Sequence, residues 1–211
     1  MAAPNPYVKR YLMTAGPTPL PPEVELAMAQ PMLYHRAPAF IEVYARVLER
    51  LRGVFRTEND VLVFASSGSG AMESAVANLV RPGERCVVAS CGKFGERWVE
   101  LCQAFGGELV HYDAGWGNKV DPAELDATLA RAGGARVVFT TLSETSTGVV
   151  NDVRALADVA HSHGALICVD AVSGLGAVPC EQDEWGLDVV VSGSQKALMA
   201  PPGLGLASVN E

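Results

Sequence analysis

Nowhere in the chain do two cysteines stand at C-x-x-C spacing, and the five present, Cys86, Cys91, Cys102, Cys168 and Cys180, are odd in number. That argues against a disulfide framework and against a zinc cluster, so no metal site is expected and a reducing cytoplasm is the simplest location. No apolar run approaches the roughly 20 residues of a membrane span. Met1 to Met13 carry prolines and charges where a signal peptide needs an apolar core. The chain reads as soluble and unexported, with no membrane partner. Positive charge is scarce too: 16 Lys and Arg against 24 Asp and Glu give a formal charge of −8, which leaves no electrostatic footprint for nucleic acid. Any phosphate must be held locally. Two phosphate-binding signatures are missing. There is no G-x-x-x-x-G-K-[ST] loop. The dinucleotide fingerprint lacks its third glycine, where Glu73 stands, and its acid about 20 residues on, where Ser90 and Cys91 sit. His35, His111, His161 and His163 join no constellation, and no Ser-His-Asp set presents itself. His161 and His163 fall at a helix end, where offsetting the dipole is the simplest role.

What is present is a globular composition, 49% hydrophobic and 19% charged, enough to bury a sizeable core. Residues 1–21 read as an extended arm, with prolines that bar a helix until Pro22. Helices are expected at about 22–29 and 39–52. The second carries Phe40, Val43, Tyr44, Val47, Leu48 and Leu51 as a stripe for core or subunit contact, with Gly53 as its C-cap. From Val61 short apolar runs alternate with helical patterns. Strands are expected at 61–65, 86–90, 108–112, 136–141, 166–169, 188–191 and 204–209. Near-continuous apolar strands alternating with helices indicate an α/β fold, a three-layer α/β/α sandwich around a seven-stranded, mostly parallel sheet. Asp121 and Asn151 or Asp152 open two of its helices, and Gly133 and Gly164 close them. Only Pro201–Gly203 is read between the sixth and seventh strands, too short for a parallel crossover, so the last strand should run antiparallel. No linker divides residues 22–211, which read as one domain.

In such sheets ligands bind beyond the carboxyl ends of the strands, so chemistry is sought there. After the first strand, Ser66-Ser67-Gly68-Ser69-Gly70 runs into a helix. Its small residues and helix N-terminus suit an anion, although a plain turn would use the same residues. After the second lies a glycine-bracketed loop, 91–98, whose Phe94 could cover a flat ring or serve the core. After the fourth comes the hydroxyl-rich Ser143-Glu144-Thr145-Ser146-Thr147-Gly148, able to bind a ligand or cap a turn. After the fifth stands Asp170, either a cap or a counter-ion for a cationic ring nitrogen. After the sixth, Ser192-Gly193-Ser194-Gln195-Lys196 delivers a lysine whose desolvation would suit it to Schiff-base chemistry.

A phosphate cradle, a ring-stacking aromatic, an acid and a lysine together match the needs of pyridoxal phosphate. Thr14-Ala15-Gly16-Pro17, Ser143 to Gly148, Val169-Asp170-Ala171-Val172-Ser173 and Ser192 to Gly203 resemble the class V aminotransferases of fold type I, in the alanine–glyoxylate and serine–glyoxylate branch. The resemblance implies transfer of an amino group from a small amino acid, alanine or serine, to glyoxylate or pyruvate. Lys196 would form the Schiff base and shuttle the proton, and Asp170 would pair with the pyridine nitrogen. Phe94 would stack on the ring and Thr145 bond near its phenolic oxygen. Ser67, Gly68, Ser69 and Gln195 would hold the phosphate, and Ala15 and Gly16 would border the substrate carboxylate. It also implies a homodimer at full length. Relatives continue past the seventh strand into a smaller domain that supplies the substrate-binding arginine, so a C-terminal truncation is expected. A non-catalytic remnant and a 2-aminoethylphosphonate or ureidoglycine transaminase stay open as alternatives.

Overall fold

The apolar runs at the centre of the sheet become strands covered on both faces, while the edge strands stay partly exposed. The computed structural model describes residues 12–210, so the first eleven residues of the expected arm lie outside the described residues. Two helices come first, α1 (Pro22–Met28) and α2 (Pro38–Phe55), followed by β1 (Val61–Ala65), α3 (Gly68–Leu79) and β2 (Arg85–Ser90). Next are α4 (Lys93–Ala104), β3 (Glu108–Asp113), α5 (Pro122–Ala132) and β4 (Val137–Thr141). A small hairpin, β5 (Ser143–Glu144) with β6 (Val149–Val150), precedes α6 (Val153–Ser162), β7 (Leu166–Asp170), β8 (Val189–Gly193) and β9 (Leu204–Val209).

Seven strands make one sheet in the order β1-β9-β8-β7-β4-β2-β3. β9 pairs antiparallel with both β1 and β8, and the remaining pairings are parallel. The fold is the three-layer α/β/α sandwich expected, with the last strand reversed. The connection before β9 is longer than expected, running from 194 to 203, but it contains no helix to carry a crossover.

Alternate strand side chains feed two cores. On one face Val87, Val138, Ile167, Val169 and Val190 meet Leu125, Leu129, Leu156 and Ala160 of α5 and α6. On the other, Val88, Phe139, Cys168 and Val191 meet Met72 and Val76 of α3 and Trp98 of α4. Trp98 and Phe139 pack at 4.8 Å between ring centroids, and the Trp98 indole N–H donates to Thr140 O at 3.1 Å. All five cysteines are buried free thiols. No described helix is long and apolar enough to cross a membrane.

Three local expectations need correction. Gly53 does not cap α2, which continues to Phe55 while Arg56 takes the left-handed position at φ 57°. The fully buried Phe55 holds the extra turn against the core, and that burial outweighs glycine's weak helix propensity. The α2 stripe is not core over most of its length, since Val43, Tyr44 and Val47 are exposed. The glycine-bracketed loop spans only two residues before α4 begins at Lys93. Trp98, Leu101, Cys102 and Phe105 recur at helical spacing, and their burial against the sheet favours helix there. His161 and His163, at the end of α6, each contact a carboxylate, Asp188 at 2.9 Å and Asp126 at 2.7 Å.

Candidate active site

β8 ends in buried Ser192 and Gly193, and the chain turns sharply beyond them. Ser194 Oγ donates to Pro201 O and accepts from Leu204 N at 3.3 Å, while Met199 N donates back to Lys196 O at 2.9 Å. This closed loop holds Lys196 half-buried at the carboxyl edge of the sheet. Lys196 Nζ donates to Ala15 O at 2.6 Å. The segment carrying Ala15 is fastened to the same loop, since Thr18 N donates to Gln195 O at 3.0 Å and Thr18 Oγ1 to Lys196 O at 2.9 Å. Gly16 lets it pass: at φ 124° a side chain is strained, and a Cβ there would sit 2.5 Å from Lys196 Cδ. Burial lowers the proton affinity of the Lys196 amine, and Asp170 partly offsets this.

Asp170, the last residue of β7, is 3% exposed. No α-helix follows it; its Oδ1 accepts Val172 N at 2.8 Å in a local turn. Burial raises the carboxyl from 3.8 to about 7. The Val172 N–H and the Lys196 charge pull it down, and the Glu144 carboxylate adds to the rise. Lys196 and Asp170 line one cavity of about 330 Å3, within the range of small-ligand pockets.

The remaining wall comes from three other elements. α3 starts there, with Ser67 as N-cap accepting Gly70 N at 3.3 Å. Gly68 and Ser69 are its first helical residues, so their N–H groups have no acceptor within the helix. Gly193 gives the loops room, since a Cβ on it would meet Gln195 Oε1 at 2.9 Å and Gly68 N at 3.3 Å. Gln195 Oε1 is buried without a hydrogen-bond partner among the described residues. Phe94, on the first turn of α4, is 39% exposed and lines the cavity, so it is not a core residue. Thr145 Oγ1 meets Ser173 Oγ at 2.5 Å.

Ser67, Gly68, Ser69, Phe94, Thr145, Asp170, Gln195, Lys196 and Gly16 all border this one cavity. Ala15 does not line it but reaches Lys196 through its carbonyl. Sequence reasoning assigned no individual role to Ser143, Val172 and Ser173 on the wall or to Glu144 behind it, although Ser143 and Glu144 stand in the hydroxyl-rich loop read as able to bind a ligand. The signal for Ser173 was its place three residues after Asp170. For Glu144 only its being the one acid in a hydroxyl-rich loop set it apart. Among the described residues no three His, Cys, Asp or Glu side chains converge into a metal-binding group.

Comparison with known proteins places this arrangement. Residues 10–211 match the family model described as aminotransferase class-V. The chain belongs to the class V aminotransferases. A serine–glyoxylate aminotransferase of Hyphomicrobium methylovorum is 37% identical over 209 residues, covering 97% of this chain and 52% of its own length. A protein named soluble hydrogenase, small subunit, of Synechococcus sp. (strain PCC 6716) is 45% identical over 205 residues, covering 96% of this chain and 53% of its own. In structure the chain is similar to an alanine–glyoxylate aminotransferase of Nostoc sp., with a TM-score of 0.92 and 30% identity over all of this chain and 56% of that one. The seven-stranded sheet flanked by helices is therefore the large-domain architecture of fold type I aminotransferases. The chain spans about half the length of the curated relatives it matches. The family depends on pyridoxal phosphate.

Proposed function

We propose that this chain is the cofactor-binding part of a pyridoxal-phosphate-dependent transaminase that moves an amino group from alanine or serine to glyoxylate or pyruvate. In this reading residues 22–211 are the cofactor-binding domain and residues 1–21 an arm over it, and the full-length protein is a homodimer. The observation that carries it is the meeting of a half-buried lysine and a fully desolvated aspartate on one cavity that also contains the free N-terminus of a helix. The residues fit the cofactor by the size of the cavity and by the lysine and aspartate on its wall.

The Gly68 and Ser69 N–H groups, the Ser67 and Ser69 hydroxyls and the Gln195 amide would hold the phosphate, helped by the positive end of the α3 dipole. Phe94 would cover a ring face, and Thr145 would hydrogen-bond near the ring's oxygen. When bound, pyridoxal phosphate supplies an aldehyde that condenses with primary amines and a ring that takes up the electron pair released at the substrate Cα. The Asp170 carboxylate would hold a proton on the ring nitrogen, because a buried anion favours a cation beside it. Lys196, with its proton affinity lowered by burial, would supply the amine that bonds the cofactor and then carry the proton at the substrate Cα. Ala15 and Gly16, beside that amine, would border the substrate carboxylate.

The test is to titrate the chain with pyridoxal phosphate, reduce it with borohydride and map the label. A saturable absorbance band with the label on Lys196 is expected, and neither should persist in Lys196→Ala. No saturable band, or a label elsewhere, overturns the reading. A screen of alanine, serine, 2-aminoethylphosphonate and ureidoglycine against glyoxylate and pyruvate identifies the donor and acceptor. Binding without turnover by any pair marks a non-catalytic cofactor binder.

A further inference from the structure

The carboxylate of Glu144 is fully buried and forms no ion pair among the described residues. Such a charge is costly unless hydrogen bonds replace its water. Four do. Oε2 accepts Phe94 N at 3.0 Å and Gly95 N at 2.9 Å, and Oε1 accepts Ser146 N at 3.1 Å and Ser146 Oγ at 2.6 Å. Two of these donors belong to the first turn of α4, whose own N-cap, Gly92, has no side chain with which to cap it. Glu144 therefore caps α4 from the β5–β6 hairpin, and its charge lies at the positive end of the helix dipole.

The surroundings are built to admit this carboxylate. A Cβ on Gly92 would lie 2.6 Å from Glu144 Cγ and 2.6 Å from Ser146 Oγ, so that glycine is required for space. Lys93 N donates to Ser146 Oγ at 3.0 Å, adding a second tie between the same segments. Gly95 lies so close to the end of β2 that a Cβ on it would sit 2.6 Å from Ser90 Cβ. The first turn of α4 is thus pressed onto the sheet from below and held by Glu144 from the side, and Phe94 projects from that turn onto the cavity wall.

We propose that Glu144 is a positioning residue for the cofactor: its buried carboxylate fixes the backbone of Phe94, and so the aromatic ring, on the wall of the cavity. The inference rests on the reading of that cavity as a pyridoxal-phosphate site. Glu144→Gln keeps the length but presents an NH2 group to one pair of donors, so at least one charge-assisted bond is lost. The dissociation constant for pyridoxal phosphate is expected to rise on the order of tenfold. The induced circular dichroism of the cofactor band at saturation should fall, a signal that overall stability does not set. The effect acts through Phe94, so in a Phe94→Ala background Glu144→Gln should add little.

An unchanged dissociation constant and dichroism in Glu144→Gln, or effects of the two substitutions that simply add, overturn the inference. If far-ultraviolet dichroism shows Glu144→Gln unfolded, Ser146→Ala, which removes one bond to the carboxylate and the acceptor for Lys93 N, is judged by the same two readouts. An intact chain that gives no saturable band overturns the site reading and this inference with it. An intact chain that binds, beside a variant that binds equally well, overturns this inference alone.

Discussion

Replacing Asp170 with Asn separates the cost of a buried carboxylate from its use. Asp170 is 3% exposed, and burial raises its carboxyl from 3.8 to about 7. Between those values the native chain holds a proton that the unfolded chain has released. The native state then binds more protons, so stability falls as pH rises through that window and the loss is complete above it. The shift of roughly 3 units, at 1.36 kcal/mol each, corresponds to about 4 kcal/mol as an upper limit. Asp170→Asn has nearly the same shape, keeps an oxygen to accept the Val172 N–H and has no charge to desolvate. Without cofactor it should melt higher than the parent at about pH 8, by up to roughly 10 °C for a chain of this size. The gap should close as pH falls towards about 4. With saturating pyridoxal phosphate the order should reverse on the proposed reading, in which the carboxylate would pair with a cationic ring nitrogen. Thermal unfolding followed by circular dichroism across that pH range is the assay. A variant no more stable than the parent at about pH 8, or a gap that pH does not change, refutes the reasoning.

Three further perturbations test other links. Gly16→Ala forces a strained φ and a Cβ into the Lys196 side chain, so the fraction of Lys196 labelled by borohydride at sub-saturating cofactor should fall several-fold, read by peptide mass. Gly205→Ala on β9 would place a Cβ 2.7 Å from the backbone oxygen of Ser67, where α3 begins; a loss of roughly 1–3 kcal/mol is expected from denaturant midpoints. Phe139→Ala empties the contact with Trp98 at the centre of one core and should cost about 3–5 kcal/mol by the same measurement.

Strand positions were legible because a sheet covered on both faces needs continuous apolar runs, and 61–65 and 204–209 were read at the bounds the structure has. Most of the named cavity-lining residues were found because a fold of this class puts its loops at one edge of the sheet, so that strand-end positions were the ones to read; Gly16, which follows no strand, came from the family resemblance. What escaped were features set by a partner distant in sequence. The first turn of α4 is stabilised by an acid 49 residues from Gly95 and by packing of Trp98 on β4. A window around Phe94 contains neither. Gly53 was misread for the same reason, since the burial of Phe55 depends on the rest of the core.

By itself the sequence determined the alternation of strands and helices, the reversed last strand and the placing of Lys196 and Asp170 at strand ends. These follow from periodicity and from the lack of a crossover helix before β9, which are local properties of the chain. Only the tertiary structure decided that Glu144 carries the start of α4, that Gly16 yields its space to Lys196, and that the α2 stripe faces outward over Val43, Tyr44 and Val47. A pattern of apolar and polar residues states which face seeks cover. What covers it, and which buried charge finds its donors, depends on surfaces that meet only once the chain has folded.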